Sequence, residues 1–244
     1  MAQLLLIENA KPFISDCVGC ARRLFVGPGW RIVAGDRAHA ICDECAFKVD
    51  PTITVQRDRS NGRLDDSMPP TIVETRRLLL REFVPDDAAA FYELNRDPEV
   101  VRHTGEGNEG PQSVEEARAV LVARPIADYR RFGFGRCACV CKETGELVGM
   151  CGLKYLDDLG VVDLGYRFQR TSWGRGLATE AARAMVELGF GRLSLGRIVG
   201  LVEPGHTPSI RVLEKVGMRF DRMVDYRGDP VAQYVVLAPE PQTL

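Results

Sequence analysis

Between Val161 and Gly189 the chain passes from a strand pattern into an alanine-rich helix, with Ser172-Trp173-Gly174-Arg175-Gly176 between them. Gly174 and Gly176 bracket Arg175 immediately ahead of Leu177, Ala178, Ala181, Ala182, Met185 and Leu188. Glycine lets the backbone approach a ligand closely, and the free N–H groups of a helix N-terminus favour an anion. Three or four such groups, each worth about 1.5–3 kcal/mol against a charged oxygen, make a phosphate site. No Gly-Lys-Ser/Thr follows, so the loop is not of the Walker type. The dinucleotide spacing G-x-G-x-x-G fails at Thr179.

The flanking segments extend the same alternation. Arg77–Phe83 reads as a strand, and Asp86 or Asp87 caps a helix carrying Ala88, Phe91 and Leu94 on one face. Ser113 with Glu116 matches a capping box, opening a helix that Pro125 is expected to kink or end. Arg136–Cys141 and Leu147–Leu153 read as strands joined by Glu143-Thr144-Gly145-Glu146, and Asp157-Asp158-Leu159-Gly160 turns into the strand Val161–Phe168. A strand at Arg197–Val202 precedes a helix from Thr207 and Pro208 to Val216, stopped by Gly217. Strands at Phe220–Tyr226 and Val231–Leu237 complete the pattern. This order argues for one mixed α/β domain. Cys137, Cys139 and Cys141 alternate along their strand, which spreads three thiols too widely for one tetrahedral ion, so they read as buried apolar side chains.

Composition bounds the ligands. The chain has 244 residues with a net charge of −2, and 45% of its residues are hydrophobic, enough to build a core. Charge is balanced on both sides of residue 70, so nucleic acid is not the expected ligand. The longest early apolar run, Leu4–Ile7, is far short of a bilayer span, and the cytoplasm is the expected location. Gln56–Pro70 is polar and proline-terminated, a linker pattern. Upstream of it, Cys17, Cys20, Cys42 and Cys45 form C-x2-C…C-x2-C with 21 residues between the pairs, a pattern for tetrahedral, structural Zn²⁺. Structural zinc can supply about 10–16 kcal/mol of folding energy to a segment with few large apolar side chains. The expected organisation is a C4 zinc-finger domain at 1–50, a linker at 51–71, a main α/β domain at 72–238 and a tail at 239–244.

The run Gly165-Tyr166-Arg167-Phe168, then Trp173-Gly174-Arg175-Gly176-Leu177-Ala178-Thr179-Glu180-Ala181, resembles the GNAT N-acetyltransferase superfamily, in its Rim-type branch. Thr75-Arg76-Arg77-Leu78-Leu79-Leu80-Arg81, Gly145–Gly152 and Pro208-Ser209-Ile210-Arg211-Val212-Leu213-Glu214-Lys215-Val216-Gly217 extend the resemblance from about Thr75 to Leu237. Ile41-Cys42-Asp43-Glu44-Cys45 separately resembles the zinc-binding domain of the Clp unfoldase ATPase.

The first resemblance implies a mixed, mostly antiparallel sheet with flanking helices, and acetyl-CoA held in a notch between two splayed parallel strands. Tyr166, Arg167 and Phe168 lie on the strand expected to meet the pantetheine arm. Trp173, Gly174, Arg175, Gly176, Leu177, Ala178 and Thr179 are expected around the pyrophosphate, with Arg170 adding charge. His206 stands where the family often has a pantetheine-contacting Asn. Ser209 is implied as a ligand contact or as proton donor to the departing thiolate, and Asp163, two residues before Gly165-Tyr166, as general base. The implied activity is acetyl transfer from acetyl-CoA to a primary amine, either a protein N-terminus or a small molecule, in an enzyme whose zinc finger serves partner binding, acceptor positioning or dimerisation. An alternative from another class is a regulatory protein that uses the fold only to bind acyl-CoA or peptide.

Overall fold

The computed structural model describes residues 71–103 and 110–239, together with the backbone of five short strands nearer the N-terminus. These are β1 (Gln3–Leu4), β2 (Phe13–Asp16), β3 (Arg23–Val26), β4 (Ile32–Ala34) and β5 (Arg37–His39). They form a three-stranded sheet of order β1-β4-β5 and a β2–β3 pair. Cys17, Cys20, Cys42, Cys45 and residues 51–70 of the linker lie outside the described residues. The chain separates into two compact units, Met1–Met68 with Arg131–Gly133, and Pro69–Arg130 with Phe134–Leu244.

The second unit is built on eight strands: β6 (Thr71–Glu74), β7 (Leu78–Arg81), β8 (Arg136–Cys141), β9 (Leu147–Leu156), β10 (Val161–Phe168), β11 (Arg197–Val202), β12 (Arg219–Tyr226) and β13 (Asp229–Leu237). Their order is β12-β13-β11-β10-β9-β8-β7-β6. Every neighbouring pair is antiparallel except β10 and β11, which run parallel. A parallel pair needs a crossover, and the helix after Gly176 supplies it.

On one face lie α1 (Ala88–Asn95), α2 (Pro98–Val101) and α3 (Val114–Leu121). Phe83, Phe91, Leu94, Val100, Ala117 and Leu121 join Ala138 and Leu147 of the sheet in one buried cluster. On the other face α5 (Leu177–Phe190) packs with Gly189 against Ile198, Leu153 and Leu195, and α6 (Thr207–Lys215) sets Leu213 against Gly200. The alternating burial follows from the two-residue period of strands. Cys137, Cys139 and Cys151 are fully buried on the α5 side of β8 and β9, and burial pushes their thiols up, Cys137 to about 12. Buried, protonated thiols are inert packing groups.

Two local expectations, at Ser113 and Asp87, are revised by the structure, while the break expected at Pro125 takes a particular form: α3 stops at Leu121 and Val122–Ile126 widens into a π-helical turn that leads into α4 (Ala127–Phe132). A π turn accommodates a ring that has no N–H to donate and would clash with the preceding turn of an α-helix. Ser113 caps α3 by accepting from the Glu116 N–H at 3.1 Å, but the Glu116 carboxylate reaches back to the Gln112 N–H at 2.8 Å instead of to Ser113. Asp87 is the N-cap of α1 by position, but its side chain makes no cap bond to that helix. It accepts from the Val84 N–H and from both terminal nitrogens of Arg81. No helix among the described residues is long and apolar enough to cross a membrane.

Candidate active site

Strands β10 and β11 pair only at Asp163–Val199, although β10 runs on to Phe168 and β11 to Val202. Past that point their backbone groups are left for something else, and the sheet opens a notch at its parallel seam. Asp163 sits at the vertex. Its side chain is buried; one carboxylate oxygen accepts from the Leu201 N–H at 3.0 Å and the other pairs with Arg136 Nη2. Arg136 Nη1 donates to the carbonyl of Asp163 at 2.9 Å and to that of Gly152. One guanidinium therefore ties β8, β9 and β10 together, and the carboxylate carries the tie to β11. A Cβ on Gly165 would run into the Arg136 guanidinium, so glycine leaves the room for it to cross where it does.

The strand's next three residues make three different contacts, Tyr166 and Phe168 on one face and Arg167 on the other. Tyr166 donates its hydroxyl to the Ser209 carbonyl at 2.8 Å, joining β10 to the first turn of α6 across the notch, and burial raises its phenol. Arg167 pairs with the amide oxygen of Asn95, a residue 1% exposed whose Nδ2 donates to the Phe91 carbonyl at 2.6 Å. Phe168 is buried, and its carbonyl accepts the Trp173 indole N–H at 2.7 Å. That bond fixes the ring across the loop it opens.

From there the chain turns through Arg170–Ser172, with the Trp173 N–H donating to the Arg170 carbonyl at 3.0 Å. Gly174 and Gly176 both adopt left-handed backbone, at φ 72° and 76°. Gly176 is the N-cap of α5 and has no side chain over the first turn, and Trp173 to Gly176 are exposed. Leu177 is buried and anchors the helix, while Ala178 and Thr179 are half-buried on its first turn. The result is a bare helix N-terminus of fourteen residues open to an anion. A cavity of about 730 Å3 begins at Gly176 and Thr179 and runs beside α5, past Arg77, Glu180, Arg183 and Lys215, sharing no residue with the notch.

His206 caps α6 at the far lip. Its ring stacks on His103 with centroids 4.0 Å apart and planes 22° apart, while His103 Nδ1 pairs with Glu203. Burial, and next His103, push the His206 imidazole below its usual range, so it is neutral at pH 7. His103, at the end of the α1–α2 segment, therefore meets the loop after β11. Among the described residues no set of three His, Cys, Asp or Glu side chains is placed to hold a metal.

The structure thus brings Asp163, Tyr166, Ser209 and His206 around one notch, and Trp173 through Thr179 around one loop. It turns Arg167 away to α1. The sequence reading missed Arg136, Asn95 and the Arg77–Glu180 contact described below. Only the last had a sequence signal, since both residues lie in the runs that carry the resemblance.

The Acetyltransferase (GNAT) domain family matches residues 77–219. The chain belongs to the GNAT acetyltransferase family. Among relatives, an uncharacterized N-acetyltransferase of Bacillus licheniformis, p20, is 35% identical over 156 residues, covering 62% of this chain and 85% of that protein. The uncharacterized protein YkkB of Bacillus subtilis (strain 168) is 40% identical over 95 residues, 38% of this chain. The GNAT chain spans only 55% of that relative's length. Among solved structures, Mycobacterium smegmatis RimJ in complex with CoA-disulfide shares the fold, with a TM-score of 0.60 and 22% identity over 72% of this chain and 90% of that one. The notch and the bare helix are therefore features of a GNAT acetyltransferase fold.

Proposed function

We propose that this GNAT protein transfers an acetyl group from acetyl-CoA to a primary amine, and that the preferred acceptor is a low-pKa amine such as a protein N-terminus. The observation that carries the acceptor reading is the state of Asp163. A carboxylate held by a guanidinium and a backbone N–H is not free to take a proton, which argues for a positioning role at the vertex of the notch in place of the general base expected from the sequence.

In this reading the amides of Gly174 to Thr179 bind the pyrophosphate and Arg175 adds charge at its rim, whereas Arg170, expected from the sequence to do the same, is already paired with Asp97 at 2.6 Å. Backbone groups along Tyr166–Phe168 on the edge that β11 leaves unpaired bind the pantetheine arm, directing the thioester into the notch; the Phe168 carbonyl is not among them, since it holds the Trp173 indole. Acetyl-CoA supplies an activated carbonyl, which the neutral amine attacks. Ser209, one turn into the helix tied to Tyr166, faces the departing sulfur as its proton donor. His206, neutral at pH 7, can accept the amine's proton through one ring nitrogen.

Without a strong base, the acceptor must lose its proton largely unaided. At pH 7 that costs an α-amine of pKa about 8 only about 1 kcal/mol, against about 4–5 kcal/mol for a lysine near 10.4. A thiol-release assay over peptides, lysine derivatives and aminoglycosides is therefore expected to rank α-amines first, with the rate rising as pH approaches 8. A lysine acceptor turned over at least as fast at pH 7 contradicts the reading.

The zinc finger belongs to the same proposal, supported by the spacing of Cys17, Cys20, Cys42 and Cys45. Four thiolates leave zinc no open position, so its role is structural, holding a segment that meets a protein partner, the acceptor or a second copy. Replacing Cys17 and Cys45 together by serine should release about one zinc per chain while leaving the affinity for acetyl-CoA unchanged. Freshly purified protein without zinc ends this part of the proposal.

A further inference from the structure

Thr75-Arg76-Arg77, at the entry to β7, has no part in the notch, yet it reaches the head of α5 by four hydrogen bonds, three to Glu180 on the helix and one to Arg175 in the loop before it. The Thr75 hydroxyl donates to Glu180 Oε1 at 2.7 Å, and the Arg77 N–H donates to the same oxygen at 2.8 Å. Arg77 Nε donates to Glu180 Oε2 at 2.7 Å, and its Nη1 reaches past the helix to the Arg175 carbonyl at 2.8 Å. The sequence separation is 103 residues for the ion pair and 98 for the loop contact, so only the fold brings these groups together.

We infer that Thr75, Arg77 and Glu180 form a clamp that sets the loop from Gly174 to Gly176 in its anion-binding shape and cancels a carboxylate standing at that anion's doorstep. Arg175 lies between two left-handed glycines, a stretch whose backbone has no side chain to steer it. The guanidinium that captures its carbonyl leaves the neighbouring N–H groups directed outward. A Cβ on Gly176 would stand 3.7 Å from Arg77 Nη2, so the guanidinium is already packed against the turn it holds.

Glu180 lies on the first turn of α5, where a free carboxylate would compete with a phosphate for the helix N-terminus and repel it. Burial alone would raise the Glu180 carboxyl; the Thr75 hydroxyl and then the Arg77 amide and guanidinium outweigh it and keep the group below its ordinary range. Its negative charge is therefore retained but directed at Arg77, away from the loop. These are positioning residues. None touches the acetyl group or the amine, so their loss should be read in the donor's KM and not in kcat.

This inference rests on the loop being the donor's phosphate site. The test is calorimetry with acetyl-CoA together with steady-state kinetics on the full chain. Arg77→Met is expected to weaken acetyl-CoA binding about ten- to a hundredfold, the worth of a lost charge-assisted bond plus an exposed carboxylate, with kcat at saturating acetyl-CoA unchanged. Arg77→Lys should recover part of the loss by restoring charge without the two-pronged fork. Adding Glu180→Gln to Arg77→Met should recover affinity too, because the uncompensated carboxylate is gone. A purely structural clamp predicts the reverse, a double variant weaker than either single one. If Arg77→Met does not fold, Arg77→Lys and Thr75→Val carry the same test with smaller shifts in KM. Unchanged affinity in Arg77→Met or, failing that, in Arg77→Lys, with wild type binding normally, overturns the clamp alone. Wild type that binds no acetyl-CoA overturns the donor site on which it rests.

Discussion

Asp163→Asn is expected to lower the unfolding free energy by about 3–5 kcal/mol, the usual cost of leaving one member of a buried ion pair without its partner. The side chains of Arg136 and Asp163 are only 14% and 9% exposed, so water cannot replace the lost charge. An asparagine can still accept from the Leu201 N–H through its amide oxygen, but its NH2 group would meet the guanidinium donor to donor. Denaturant unfolding measures the stability term, and activity per folded molecule measures the rest. A general base makes a different prediction: unchanged stability, with kcat down about 10²–10⁴ at pH 7 and recovering as the amine deprotonates at higher pH. A variant of wild-type stability with that pH-dependent loss would contradict the positioning role.

Gly176→Glu should weaken acetyl-CoA binding by at least about a hundredfold. The substitution puts a side chain and a negative charge over amides that each contribute about 1.5–3 kcal/mol to a phosphate oxygen. The fold should survive it. A non-glycine residue at φ 76° costs about 1–2 kcal/mol, and the nearest atom to the new Cβ is 3.7 Å away, an ordinary contact. Calorimetry separates the two terms, because Gly176→Ala carries the backbone strain without the charge and should lose far less. Equal affinity in wild type and Gly176→Glu would remove the loop from the donor site.

What the sequence made legible was whatever depends on neighbours in the chain. The strand into Gly174-Arg175-Gly176 into helix is a local pattern, and so are the proline-started helix before Ser209 and the alternating cysteines of β8; each lies in the structure where its period put it. Asp163 stood out in the sequence by its place two residues before Gly165-Tyr166, but what it bonds depends on Arg136, which lies 27 residues earlier on a strand two places away. No periodicity records such a pair, and an acid on a strand reads as solvent-facing until its partner is placed. Arg77 and Glu180 were similarly visible only as parts of two separate motifs. Pro125 interrupts the α-helix as the sequence implies; what the sequence does not say is that the chain changes helix type there instead of stopping.

The bonds at Asp163 also narrow the chemistry. Under the proposed function, a notch whose buried carboxylate is spent on holding its strands relies on the His206 imidazole and the Ser209 hydroxyl to move protons, which favours an amine already close to neutral over one that is firmly charged.

The central claim is that the notch and loop serve acetyl transfer and not acyl-CoA binding alone. The most direct measurement is free thiol released from acetyl-CoA at pH 7, with and without a peptide bearing a free α-amine, paired with the mass of that peptide. The account predicts thiol release that depends on the peptide, matched one for one by peptide carrying a single acetyl group at its N-terminus. Tight acetyl-CoA binding with no peptide-dependent thiol release across the amine panel would contradict it, and would make the protein a binding module built on an enzyme fold.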